Sequence, residues 1–172
     1  MILASIQSRL KTVLGGALGK KKKQKKSLFG KIFAAIFFIL YILVLTDLLL
    51  FSFRTPTTLQ NTQSFSELLN SRVNLTLFNT IKLYLRSANA ASVVNILGNI
   101  LAFAPMGFFI GFLFKKMRDV FFCTIIVAMT SLVYEAFQIL LLVGRFDVDD
   151  ILLNTIGGIL GFCFHRLVRR RQ

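Results

Sequence analysis

Four long runs of apolar residues divide the 172-residue chain. They cover residues 32–53, 93–114, 120–143 and about 150–168. Each run is close to the roughly 20 residues that a helix needs to cross about 30 Å of hydrocarbon. The pattern therefore predicts an all-α integral membrane protein, a compact bundle of four transmembrane helices.

Two other segments show a weaker, amphipathic pattern. Between the first and second runs lies the outer loop 54–92, in which apolar residues recur every four positions from Leu69 to Leu85. This spacing predicts an amphipathic helix over Leu68–Leu85 that lies on the outer surface of the bundle. The same kind of pattern in Met1–Leu18 predicts a helix along the inner membrane surface.

Composition and charge support a membrane protein with a defined orientation. Hydrophobic residues make up 55% of the chain, too many for a soluble domain of this size. The net charge of +14 is also found in nucleic-acid-binding proteins, but topology explains it better. With both termini cytoplasmic, sixteen of the 21 Lys and Arg residues lie on the inner side, which is the positive-inside pattern. We expect no nucleic-acid partner, and we expect the basic segments to contact anionic lipids.

These patterns predict three parts of the chain. A basic cytoplasmic segment, 1–31, precedes the four-helix membrane domain, 32–168, and a basic cytoplasmic tail follows at 169–172. The predicted location is the plasma membrane, with the functional face extracytoplasmic. Glycines four apart in the second and fourth runs, at Gly107–Gly111 and Gly157–Gly161, predict close packing of these helices.

Polar side chains interrupt the apolar runs at similar depths. With a rise of about 1.5 Å per residue, one polar residue in each helix lies about 6 to 12 Å below its outer end. These residues are Asp47, Asn99, Glu135 and Asn154. Further polar residues share helix faces with them or precede the fourth helix: Asn95, Ser131, Gln138, Arg145, Asp147, Asp149 and Asp150. The sequence therefore predicts a polar cluster near the outer surface.

Buried acids in this cluster need compensation. A carboxylate in hydrocarbon costs about 2.5 to 3.5 kcal/mol or more, so Glu135 and Asp47 are expected to face the interior, be paired or be protonated. Arg145 alone cannot neutralise four acids, so some acids are neutral, a cation is bound, or a substrate brings positive charge. A structural interpretation remains open as well. Asp147 and Asp150 suit the N-cap and third position of a helix, and the amides suit interhelical hydrogen bonding.

The order of these motifs resembles the VanZ-like family of small bacterial membrane proteins. The resemblance covers about residues 74–161. Its blocks are Asn95-x-x-Gly98-Asn99 with Phe103-x-Pro105-x-Gly107, Ser131-x-x-x-Glu135-x-x-Gln138, Arg145-x-Asp147-x-Asp149-Asp150-x-x-x-Asn154-x-x-Gly157, and the outer segment Asn74–Ile81, where Leu77 replaces the usual Pro. The resemblance implies a plasma-membrane protein. The family's namesake confers low-level resistance to teicoplanin, a glycopeptide with a fatty-acyl tail.

Two classes of function remain open, and a transporter is a third possibility that the absence of a visible inverted repeat in four short helices disfavours for a monomer. In the first, the cluster binds or modifies an amphiphile, such as a membrane lipid, a lipid-linked wall precursor or an acylated glycopeptide, and so contributes to teicoplanin resistance. A metal-dependent enzyme is the sharper version, with catalytic candidates Glu135, Asp150, Asp147 and Arg145. In the second, the protein is a non-catalytic interaction protein of the envelope. The substrate-binding candidates are Asn74, Asn95, Asn99, Ser131, Gln138 and Asn154. The candidate ligands for a divalent cation are Glu135, Asp147, Asp149 and Asp150.

Overall fold

A computed structural model describes residues 28–52, 65–87, 89–114 and 119–171. The chain divides into two compact units, 1–37 and 38–172, and in the first of these residues 28–37 are helical. The amphipathic helix predicted for Met1–Leu18 lies outside the described residues. The contacts described below are those of the second unit, in which the first long helix continues from residue 38 to residue 50.

Four helices of the described chain are long and apolar enough to cross a membrane. Numbered in chain order with the shorter elements given below, they are α1 (Leu28–Leu50), α4 (Ala90–Leu113), α5 (Val120–Leu140) and α6 (Val148–Arg170). The four-helix prediction is confirmed, and its boundaries differ from these by a few residues. Apolar runs fix the helices because hydrocarbon offers no partner for an open backbone amide.

Side-chain caps define where three of these helices begin. Asn89 accepts the Ser92 amide at the start of α4, and the exposed Asp119 accepts the Phe121 amide at the start of α5 with a longer distance of 3.5 Å. Asp147 caps α6 by accepting the amide of Asp149 at 2.9 Å. The N-cap interpretation of Asp147 is thus confirmed.

The outer loop does not contain the single helix predicted for Leu68–Leu85. It folds instead as α2 (Phe65–Arg72), the two-residue strand β1 (Val73–Asn74) and α3 (Asn79–Ser87). The strand pairs in parallel with β2 (Phe146–Asp147), which directly precedes α6. The helix is interrupted at β1 because the backbone there pairs with β2 instead of forming helical hydrogen bonds. The Asn74 side chain also accepts the Thr76 amide in a tight turn.

Glycines bring the backbones of α4 and α6 into direct contact. A Cβ atom on Gly161 would lie 1.8 Å from the Ala104 carbonyl oxygen, and one on Gly157 would lie 2.1 Å from that of Ile100. Gly111 has a different neighbour, since a Cβ atom there would meet the His165 ring at 2.6 Å. The packing role predicted for these glycines is confirmed. It sets α6 close beside α4 and so fixes the position of the polar start of α6 relative to Asn99 of α4.

Pro105 lies inside α4, which nevertheless continues from Ala90 to Leu113. Within the turn that precedes Pro105, the carbonyl oxygen of Ala102 accepts a hydrogen bond of 2.7 Å from the Tyr41 hydroxyl of α1. The bond links α1 to α4 beside the proline, although the carbonyl whose helical donor Pro105 removes is that of Leu101, four residues earlier. Apolar side chains fill the centre, including Phe103, Met106, Ile110, Val127 and Phe162.

Candidate functional site

The predicted polar residues gather mainly at one end of the bundle, which we call the loop end. Here α1 and α5 end, α4 and α6 begin, and the outer segment 73–87 contacts the start of α6. The acids at this end occupy different environments, which decide what each of them can do.

Asp149 caps a helix other than its own. Its side chain is fully buried, and its Oδ1 accepts the Phe78 amide at 2.5 Å. Its Oδ2 accepts the amides of Thr80 at 2.8 Å and Ile81 at 3.1 Å. These donors form the N-terminal turn of α3, where the positive end of the helix dipole also favours an anion. Asp149 therefore attaches α3 to the start of α6.

Asp147 joins the same contact from its neighbouring position. Its Oδ1 accepts the Asn74 side-chain amide at 3.1 Å as well as the cap bond from Asp149. Its Oδ2 accepts the Thr80 hydroxyl at 2.5 Å. Asn74 also donates to the Thr80 hydroxyl, at 3.0 Å. The side chains of Asp147, Asn74 and Thr80 form one hydrogen-bonded network between the outer segment and the start of α6.

Glu135 lies beneath this network with only 3% of its surface exposed. Its Oε2 accepts the backbone amide of Asp147 at 3.0 Å. The bond joins α5 to the residue that caps α6 and pairs with β1. The expectation that Glu135 faces the bundle interior is confirmed. Its catalytic role stays a prediction.

Asp150 and Asn99 form a separate pair between α6 and α4. The Asn99 amide donates to Asp150 Oδ1 at 2.6 Å, and both residues are half-buried. Tyr84 of α3 interacts electrostatically with the Asp150 carboxylate. Its pKa is raised above 10.0, first by burial and then by the negative charges of Asp150 and Asp147, whereas the positive charge of Arg145 lowers it. Arg145 itself is exposed. Asp150, Asn99, Tyr84 and Arg145 thus define the polar surface of the loop end.

Three other candidates lie inside the bundle. Asn154 Nδ2 donates to the Ser131 hydroxyl at 2.8 Å, and both side chains are almost completely buried. Gln138 Nε2 donates to the Leu49 carbonyl oxygen of α1 at 3.3 Å. These contacts fit the interhelical hydrogen-bonding interpretation. Ser131, Glu135 and Gln138 share one buried face of α5, as their spacing predicts.

Two residues lie away from the polar surface. Asn95 is exposed and donates to the Ala91 carbonyl oxygen of its own helix at 3.0 Å. The expectation that Asp47 joins the cluster is wrong, because Asp47 is exposed on α1 and accepts a hydrogen bond from Ser52 beyond the helix end. Sequence spacing did not give the direction of Asp47 around the helix axis.

The metal assignment stays a prediction. Among the described residues, no three His, Cys, Asp or Glu side chains are grouped so that they could hold a metal ion. Both carboxylate oxygens of Asp147 and of Asp149 accept hydrogen bonds from the protein. A cation at these oxygens would therefore share them with protein donors.

Sequence reasoning missed three residues of this end. Thr80 bonds both Asp147 and Asp149, and Tyr84 lies near Asp150. Arg72 donates to the carbonyl oxygens of Leu142 at 3.2 Å and Gly144 at 3.3 Å, which holds the loop before β2. Thr80 lies within the outer block that carries the family resemblance, and this was the available signal. Arg72 and Tyr84 had none, since they follow no polar periodicity.

Apolar grooves run along the bundle below the polar surface. One, of about 610 Å³, lies between α1 and α5 and contains the hydrogen-bonded hydroxyls of Thr46 and Tyr134. It is lined by Thr46, Leu50, Met129, Thr130, Val133, Tyr134, Phe137 and Leu141. Another, of about 560 Å³, lies between α4 and α6 beside Pro105.

Comparison with known proteins adds one match. The family model described as VanZ/LLP1 matches residues 38–169, which includes all of the polar residues above and most of α1. Neither a curated protein nor a solved structure matches the chain.

Proposed function

This chain belongs to the VanZ/LLP1 family of membrane proteins, and from that premise we propose that it binds the polar head of an amphiphile at the loop end and so contributes to teicoplanin resistance. The ligand class is a lipid headgroup, a lipid-linked wall precursor or an acylated glycopeptide. The proposed location is the plasma membrane, with the loop end extracytoplasmic. The basic residues at the opposite end of α6, from Arg166 to Arg171, support this orientation.

The half-buried pair of Asp150 and Asn99 is the observation that carries this proposal. It combines an acceptor in the first turn of α6 with a donor from the third turn of α4, and Tyr84 and Arg145 lie nearby. Polar ligands are recognised by a few such groups beside apolar surface. An anionic or hydroxyl-bearing headgroup would meet Arg145 and Asn99, while an amino group would meet Asp150.

Binding fits the remaining acids better than turnover does. Asp147, Asp149 and Glu135 accept hydrogen bonds that connect α3, α5 and α6. A general base must reach the proton that it removes, and these three carboxylates are buried and engaged with the protein. The catalytic candidates Glu135 and Asp147 and the metal-ligand candidate Asp149 are thus proposed to hold the binding surface in place.

The proposal is tested by replacing each member of the Asn99 and Asp150 pair and, as a control, another asparagine of α4. Asn99→Ala and Asp150→Asn should lower teicoplanin resistance in a susceptible bacterial host by several fold. Asn95→Ala is the matched control, because Asn95 is exposed on the same helix and bonds only within its own turn among the contacts described above. Membrane abundance of each variant is measured by quantitative immunoblot.

Two outcomes would count against the proposal. Wild-type resistance in both Asn99→Ala and Asp150→Asn, at equal abundance, would show that resistance does not depend on the polar surface. Equal loss in Asn95→Ala would show a general effect on α4. A parallel measurement with a glycopeptide that lacks the acyl tail separates recognition of the antibiotic's tail from recognition of a wall precursor, because only the former depends on acylation.

A further inference from the structure

We propose that the bundle binds one ordered water molecule between Ser131 of α5 and Asn154 of α6. The site lies below the loop end, inside the apolar part of the bundle, and is separate from the surface of Asp150 and Asn99. It is proposed independently of the binding function above.

The first observation is a buried acceptor. Asn154 is 2% exposed, and its Nδ2 donates to Ser131 Oγ at 2.8 Å. Within the described chain, the Asn154 Oδ1 atom is buried and has no hydrogen-bond partner. A buried polar atom in this state costs about 1 to 3 kcal/mol, so native interiors rarely leave one without a donor.

Rotating the Asn154 side-chain amide by 180° still leaves one of its two ends without a hydrogen-bond partner. If the Asn154 amide is turned by 180°, its oxygen accepts from the Ser131 hydroxyl, but its Nδ2 then takes the buried position that lacks a partner. In either orientation one end of the amide requires a group supplied from outside the two side chains. The inference therefore does not depend on which orientation is correct.

Water is the ligand that fits both residues. Because Ser131 Oγ already accepts from Asn154, its own hydrogen remains to be donated. A water molecule can donate to Asn154 Oδ1 and accept from Ser131 at the same time. A monovalent cation would satisfy the Asn154 oxygen but could not accept the Ser131 hydrogen. The chemistry of the pair thus favours water over a cation.

Such a water would extend a polar column along α5. Glu135 lies one helical turn from Ser131 on the same face, and Gln138 follows it toward the loop end. All three side chains are at most 3% exposed. The water would provide the buried face with a partner that can both donate and accept, at a depth where lipid provides none.

Solid-state NMR on the full chain in lipid bilayers tests the site directly. With asparagine side chains labelled, magnetisation transfer from water to the Asn154 amide should be observed. It should persist after a soluble gadolinium chelate has suppressed the transfer from bulk water. Asn95, which is exposed, is the matched control, and its transfer should disappear when the chelate is added. Ser131→Ala should reduce the transfer at Asn154 by several fold.

Two results would overturn the inference. Absence of transfer at Asn154 in the wild-type protein, with transfer present at Asn95, would show a dry pair. A change at Asn154 when sodium is replaced by choline, without water transfer, would show a cation instead. The wild-type measurement decides between them, so the test stands even if Ser131→Ala folds poorly.

Discussion

The Asp149 carboxylate accepts the Thr80 backbone amide at 2.8 Å, although the two residues are 69 positions apart in the chain. The bond makes an acid of α6 the N-terminal cap of α3. The outer segment is therefore positioned by the transmembrane bundle rather than by its own sequence.

We predict that Asp149→Asn lowers the free energy of unfolding by about 3 kcal/mol. The variant keeps the size of the side chain but loses the charge, and its amide group faces backbone donors where an acceptor is needed. Unfolding of the purified protein in mixed micelles, followed by circular dichroism, measures the change.

Asp119→Asn is the control for this prediction. Asp119 also caps a helix, but it is exposed and lies 3.5 Å from the Phe121 amide. Its replacement should change the free energy of unfolding by less than about 0.5 kcal/mol. Similar losses of unfolding free energy in both variants would contradict the prediction that the buried cap at Asp149 stabilises the protein more than an exposed cap does.

We predict that Gly161→Ala separates α4 from α6 and costs about 3 kcal/mol. The added Cβ atom would lie 1.8 Å from the backbone oxygen of Ala104, and a backbone cannot move away as a flexible side chain can. The same unfolding assay measures the loss. Gly98→Ala is the control, since a Cβ atom there has no neighbour within 4 Å. Unchanged stability of Gly161→Ala would be inconsistent with the close approach of the helices.

Tyr84 is predicted to keep its proton above its ordinary pKa of 10.0, because burial and the charges of Asp150 and Asp147 raise the pKa. A raised pKa in the folded state contributes stability that is complete below pH 10.0 and is lost as the pH rises through the folded value. Titration of the phenolate absorbance, with Tyr84→Phe as the reference, measures the shift. Asp150→Asn should lower the pKa of Tyr84 and Arg145→Ala should raise it. Shifts of the Tyr84 pKa with the opposite signs would contradict the assigned positions of the Asp150 and Arg145 charges.

Glu135→Gln is predicted to retain most of the resistance phenotype. The glutamine carbonyl oxygen can still accept the Asp147 amide, which Glu135 accepts at 3.0 Å. Glu135→Leu has no acceptor and should reduce membrane abundance. Susceptibility tests normalised to abundance distinguish the roles, because complete loss in Glu135→Gln at normal abundance would favour catalysis over binding.

The main features of the bundle could be predicted from sequence because they depend on local patterns. Apolar runs give the four spans, and glycines four apart give the contact of α4 with α6. The burial of Glu135 followed from the cost of a carboxylate in hydrocarbon. Each of these inferences needs only residues within one helix.

The remaining features depend on partners that are distant in sequence. The apolar spacing from Leu69 to Leu85 predicts one helix, and only the pairing of β1 with β2 explains why it is interrupted. The depth of Asp47 is a local quantity, but its exposure depends on which face of α1 contacts the bundle. Asp149 looked like a metal ligand because its partners, the amides of α3, leave no signature in side-chain identity.

The capping of α3 by Asp149 also constrains the order of biosynthesis. The amides of Phe78, Thr80 and Ile81 are made before α4 and α5, whereas their acceptor is made after both. The contact between α3 and the start of α6 can therefore form only after the two helices between them have been made. The loop end therefore closes late in biosynthesis, because its closure requires the first turn of α6.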